Sequence, residues 1–168
     1  MFEQLLEFNI KVLRDGQSLL RLLDDAAYSC HPSADHESTI GQHMRHIADH
    51  YRALASIEAN VLNYKSRRRN SAIEDSVATA ASEFVELEAL LGTLKPASLQ
   101  VITEVDFCSD VSVTLPSSME RELAFVASHA IHHYALVAVL LRALGKQPPA
   151  QLGVAPATLH WRQQGVLQ

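Results

Sequence analysis

The stretch Ser118–Gly145, SMERELAFVASHAIHHYALVAVLLRALG, narrows the choice of fold more than any other part of the chain. Leu123, Phe125, Val126, Ala130, Ile131, Leu136, Val137, Leu140, Leu141 and Leu144 make it apolar almost all round, the mark of a helix covered on several sides. Pro116, Ser117 or Ser118 starts it, Glu120 and Glu122 fall in its first turn, and Gly145 ends it. His129, His132 and His133 sit in its middle. A buried imidazole is costly unless its nitrogens find partners, and a metal ion is one such partner. His129 and His133 leave one face about 40° apart and one turn from each other, close enough to share an ion.

A second histidine group, His43, His46 and His50, lies in TIGQHMRHIADHYRAL, again in a helical pattern. Two readings of these clusters stand side by side. They are polar edges of ordinary helices, or two stripes that face each other across a metal ion. Six of the nine histidines fall in these two short segments, which favours the second reading. Neutral imidazole suits zinc, nickel and iron, and a catalytic site of this kind takes three protein ligands and leaves a position open.

The chain has 168 residues, 48% of them apolar and 20% charged, which fits one globular domain over residues 1–168. The formal charge is −5 and the only basic run is KSRRR at Lys65–Arg69, which reads as a solvated loop or as the lip of an anion or substrate site. A nucleic-acid groove is therefore not expected. Cys30 and Cys108 do not make a disulfide framework and fit a reduced compartment. The N-terminus has no signal-peptide layout and no apolar run reads as a membrane span, so a cytoplasmic protein is expected.

In chain order, helical spacing predicts a first helix over 2–29, a second from Ser38 or Thr39 to Leu62, a third from Ser71 or Asp75 to Leu94, and a fourth over 118–145. On the second helix the apolar stripe is Ile40, Met44, Ile47, Tyr51, Leu54, Ile57 and Val61. His43 falls at its edge, His50 slightly further off and His46 at the outer margin. The segment CHPSADHEST reads as a loop, with His31 and His36 as loop residues. Residues 99–115 are rich in β-branched side chains and predict either a hairpin turning near Ser109 and Asp110 or an extended crossover between helices. Residues 146–168 read as an irregular tail, with Trp161 anchoring it to the bundle or to a second subunit.

Together, GQHMRHIADH on the second helix and SHAIHHYALV on the fourth resemble the DinB family, the damage-inducible proteins grouped with metal-dependent hydrolases of the YfiT type. The likeness covers the chain up to the tail. It implies an all-α fold, a four-helix bundle of up-down-down-up connectivity, commonly a homodimer, with a divalent metal held by three histidines near one end. Carried over by position, the ligands are His46, His129 and His133. His132 then falls to the outer sphere or to solvent. For His50, core packing stands beside a role as catalytic base or fourth ligand. Asp49, Glu122 or a backbone carbonyl are the candidate acceptors for the ligands' other nitrogens.

Such a site implies a small-molecule substrate and one of two reactions. In the first, a low-molecular-weight thiol is activated to attack an electrophile, the S-transferase chemistry of characterised relatives. In the second, water is activated to hydrolyse a small amide or ester. No His-Glu-x-x-His arrangement supplies a local base for peptide hydrolysis, which leaves His50 as the nearby candidate. A non-catalytic bundle that keeps a metal or a ligand is the third reading.

Overall fold

The computed structural model describes residues 1–32, 37–65, 68, 71–106, 108, 109 and 111–165. His36, most of the KSRRR run and Asp110 lie outside them. The first helix, α1 (Phe2–Leu20), buries Leu6, Asn9, Val12, Leu13, Gly16, Leu19 and Leu20 at helical spacing. It does not continue to residue 29. Asp24 accepts a hydrogen bond from the Ala27 amide at 2.8 Å and starts a separate turn, α2 (Asp25–Ser29). A short acidic side chain that can serve the backbone this way competes with an uninterrupted helix.

Helix α3 (Ile40–Ala55) opens on a reciprocal cap: Thr39 Oγ1 accepts from the Gln42 amide, and Gln42 Oε1 accepts from the Thr39 amide. It ends seven residues before the expected Leu62. Ala59 and Asn60 take left-handed φ values of 50° and 61°, and Val61–Asn63 becomes a strand, β1. After a 3₁₀ turn at Ala72–Glu74, Ser76 caps α4 (Val77–Leu91).

Of the two forms open for residues 99–115, the hairpin is the one adopted. Strands β2 (Ser98–Glu104) and β3 (Ser112–Ser118) pair antiparallel, and β1 adds in parallel to β2, giving the order β1-β2-β3. The fold is therefore mostly helical with a small sheet, not all-α. The reason lies in side-chain burial: Leu62, Leu99 and Val101 share one sheet face and are buried, which an extended but unpaired crossover would not achieve. Helix α5 (Met119–Ala143) follows β3 directly, with Ser118 as its cap.

The tail is not wholly irregular either. Gly153, at a φ of 72°, lets the backbone pass against Ala135 of α5, and α6 (Pro156–Gly165) follows. No residue of α6 is buried, and Trp161 is 70% exposed, so it does not anchor the tail to the helices of its own chain.

Helix α1 packs on α4 and α5, and α3 packs on the same two. Between them lies one contiguous apolar core that includes Leu13, Leu20, Tyr28, Met44, Ile47, Phe84, Leu123 and Val137. Among the described residues α5 is the one helix long and apolar enough to cross a bilayer, contrary to the sequence reading, and its buried apolar residues belong to the core shared with α1 and α3. A polar tie crosses the core. Asn9 Nδ2 donates to the Leu123 carbonyl at 3.1 Å and its Oδ1 accepts from the Tyr51 hydroxyl at 2.9 Å, joining α1, α3 and α5.

The first turn of α3 is held close to the 3₁₀ turn, where a methyl group on Gly41 would overlap the Glu74 carbonyl. Gly41→Ala is expected to force these two segments apart and to lower stability by about 1–3 kcal/mol. A thermal melt of the variant checks this, and an unchanged midpoint would mean that the two segments are not held there.

Candidate metal centre

Helices α3 and α5 lie side by side, and the histidine stripes face each other across the contact. His46 reaches α5 from the margin of its own apolar stripe because α3 has neighbours on two sides, α4 and α5. His46 Nε2 is 3.0 Å from His129 Nε2. The His133 ring centroid lies 4.6 Å from both His46 and His129. One ring nitrogen from each of His46, His129 and His133 falls within 4.8 Å of the others. Nitrogens that share a tetrahedral zinc at the usual bond length stand about 3.4 Å apart, so the cluster needs only small side-chain shifts to close on an ion.

The protonation of the cluster also fits. Burial pushes the His133 imidazolium down to a pKa of about 2, with His46, His129, His43 and His132 adding to the effect. His43 is lowered as well, chiefly by burial, then by His132 and Arg45. Metal ligation requires the neutral imidazole, the form these surroundings favour.

His50 is buried next to this group. Its Nδ1–H donates to the His46 carbonyl at 3.0 Å, which puts the lone pair of the neutral ring on Nε2. The ring stacks on His129 at 4.1 Å and on Tyr64 at 5.1 Å. Tyr64 in turn donates to Glu122 at 2.8 Å. Glu122 is completely buried and also accepts from Ser117 and Arg121. Burial, and then the Glu122 charge, raise the Tyr64 pKa. Of the acceptors expected for the ligands, Asp49 carries Arg45 and Arg68, and Glu122 carries the three groups just named.

His132 is exposed, with its ring 5.4 Å from His133 and nearly perpendicular to it. His31 is exposed in its loop. The residue that sequence reasoning named in the second cluster but gave no role is His43, whose Nδ1 lies 2.9 Å from Nδ1 of His133. Its position at the edge of the apolar stripe, nearer the core than His46, was the available signal. A cleft of about 380 Å³ opens onto the cluster, lined by Ser38, Gln42, His43, Arg45, His46, Glu74 and His133. Among the described residues, all that line it are polar or charged.

Residues 11–137, which span both histidine groups, match the sequence pattern of the DinB superfamily. The chain belongs to the DinB superfamily. This DinB-like chain is also similar to FK506-binding protein 5 of Rhizopus delemar, at 29% identity over 128 residues. The match covers 74% of this chain and 33% of that protein, so the chain spans about a third of its relative's length. No solved structure matches the chain.

The depressed pKa of His133 has a consequence for stability. The unfolded chain takes up this proton near pH 6.5, while the folded chain resists it until about pH 2. Between those values the unfolded state binds more protons, so stability is fully present above pH 6.5 and is lost as pH falls. Thermal midpoints of metal-free protein should drop between pH 7 and pH 5, and the slope should be shallower for His133→Asn. An equal slope in the variant would count against a neutral, buried His133.

Proposed function

We propose that the chain is a metal-dependent enzyme in which His46, His129 and His133 hold a divalent cation, zinc or nickel, and which activates a low-molecular-weight thiol for transfer to a small polar electrophile. The observation that carries this reading is the three-histidine cluster beside a cleft whose described lining residues are all polar or charged. A bound divalent ion with three neutral imidazole ligands keeps its charge and open positions, so it lowers the pKa of a thiol or water and polarises a substrate oxygen.

The chain's own groups supply the rest. Gln42, Ser38 and the Arg45–Glu74 pair offer donors and acceptors to a polar substrate. His50, its Nδ1–H fixed on the His46 carbonyl, presents Nε2 to receive a proton. Stacking between Tyr64 and His129 keeps that ring from turning. The same His50 supports the second reading, hydrolysis of a small amide or ester, since a base so placed also serves an attacking water.

We read the four long helices as an up-down-down-up bundle within one domain. The parallel pairing of β1 with β2, which follow α3 and α4 respectively, supports it, because both helices then end at the same end of the molecule. Leu136, Val139 and Trp161, all exposed, support a homodimer.

Elemental analysis after loading with zinc tests the ligand set. His46→Ala, His129→Ala and His133→Ala should each lose stoichiometric metal, whereas His50→Ala should keep most of it. Full occupancy in any of the first three variants would remove that residue from the ligands. Loss in His50→Ala with retention in His46→Ala would reassign the third ligand. Cobalt-loaded protein titrated with a small thiol should gain a sulfur-to-metal absorption band if the thiol reading holds, and its spectrum should stay unchanged if only water is used.

A further inference from the structure

Two neutral imidazoles whose Nδ1 atoms lie 2.9 Å apart are joined by one proton, carried by one ring and accepted by the other. His43 and His133 are such a pair, each half-buried, with ring centroids 5.2 Å apart and planes inclined by 46°. A neutral imidazole has one proton for two nitrogens, so the partner of one nitrogen decides what the other can do.

We infer that His43 is a positioning residue for the metal centre, whose Nδ1 accepts the proton of His133 Nδ1 and so keeps His133 in the tautomer that presents Nε2 to an ion. This rests on the reading above that His133 is a ligand. The tautomers of both rings then follow: His133 carries its proton on Nδ1 and His43 on Nε2. His43 is not itself a member of the three-histidine group, which closes among His46, His129 and His133. Its contact is with the back of one ligand.

The chemical nature of this partner matters. Metal-bound histidines commonly donate to a carboxylate, which adds negative charge to the ligand and strengthens it as a donor. The nearby carboxylates, Asp49 and Glu74, are instead committed to Arg45, and Asp49 also to Arg68. An imidazole acceptor orients His133 without adding charge. The centre then holds its ion less tightly than a carboxylate-backed one would, but leaves the ion more strongly electrophilic.

Two substitutions separate orientation from bulk. Asn at position 43 places an amide near the position of Nδ1 and keeps an acceptor there, while Leu keeps the volume and removes it. In competition with a chelator, His43→Leu should bind zinc on the order of 10- to 100-fold more weakly than the wild type. His43→Asn should recover most of that loss. Nitrogen-15 shifts of the metal-free protein should show His133 protonated at Nδ1 in the wild type and in His43→Asn, and a mixture of tautomers in His43→Leu. Zinc affinity in His43→Leu within about twofold of wild type would overturn the inference, as would an unchanged His133 tautomer. Loss of one nitrogen ligand from the X-ray absorption spectrum of zinc-loaded His43→Leu would overturn it too, by making His43 a ligand. A wild-type protein that takes up no zinc would sink the proposed function, and the tautomer measurement, made without metal, would still decide the pairing.

Discussion

The contact between α3 and α5 is the constraint on which the rest of the molecule depends. Both helices must bury apolar stripes to fold, and both carry imidazoles within or beside those stripes. Bringing the helices together packs five rings at once, and burial disfavours the charged forms of His43 and His133. The price of that crowding is met by mutual hydrogen bonds, by stacking and by the His46 carbonyl. The same surroundings keep His133 neutral, so the packing that forms the core also prepares the centre.

The remaining polar structure steadies this contact from outside. Arg45 bridges Asp49 of its own helix and Glu74 of the 3₁₀ turn, and Arg68 and Arg52 continue the network to Glu83 and Glu86 on α4. Arg45, Asp49 and Glu74 are largely buried, and Arg45 is the cation that the two carboxylates share. On the opposite flank, Glu122 gathers Tyr64, Ser117 and Arg121, and Tyr64 carries that order to His50. One wall of the histidine group is thus set by ion pairs and the other by a buried carboxylate.

Much of this was legible in the sequence, for reasons tied to particular residues. The α5 pattern is long and continuous, and Gly145 with its φ of 71° ends the helix close to where the spacing predicted. His129 and His133 share a face as their spacing predicted, and they meet His46, which the family resemblance implied and the wheel alone did not single out. What was not legible depended on competition between local and distant contacts. Val61 continued the stripe of α3 in the sequence but is drawn into a strand, because β2 offers it and Leu62 a partner about forty residues away. Asp24 divided the first helix by capping a new one. The pairing of His43 with His133 was not legible because a helical wheel shows which face a residue occupies, and says nothing of which ring on another helix waits there.

The passage from β3 into α5 has no linker, since Ser118 ends the strand and Met119 begins the helix. The strand is fixed by its ladder to β2, so the rotational phase of α5 is dictated by the hairpin's register. One residue inserted at this junction would turn the helix by about 100° and swing His129 and His133 away from His46. The far end of the same hairpin, beyond Glu104 and Ser112, joins its own two strands and leads into no helix. In related chains, length variation should therefore gather at the tip of the hairpin and be excluded from its root.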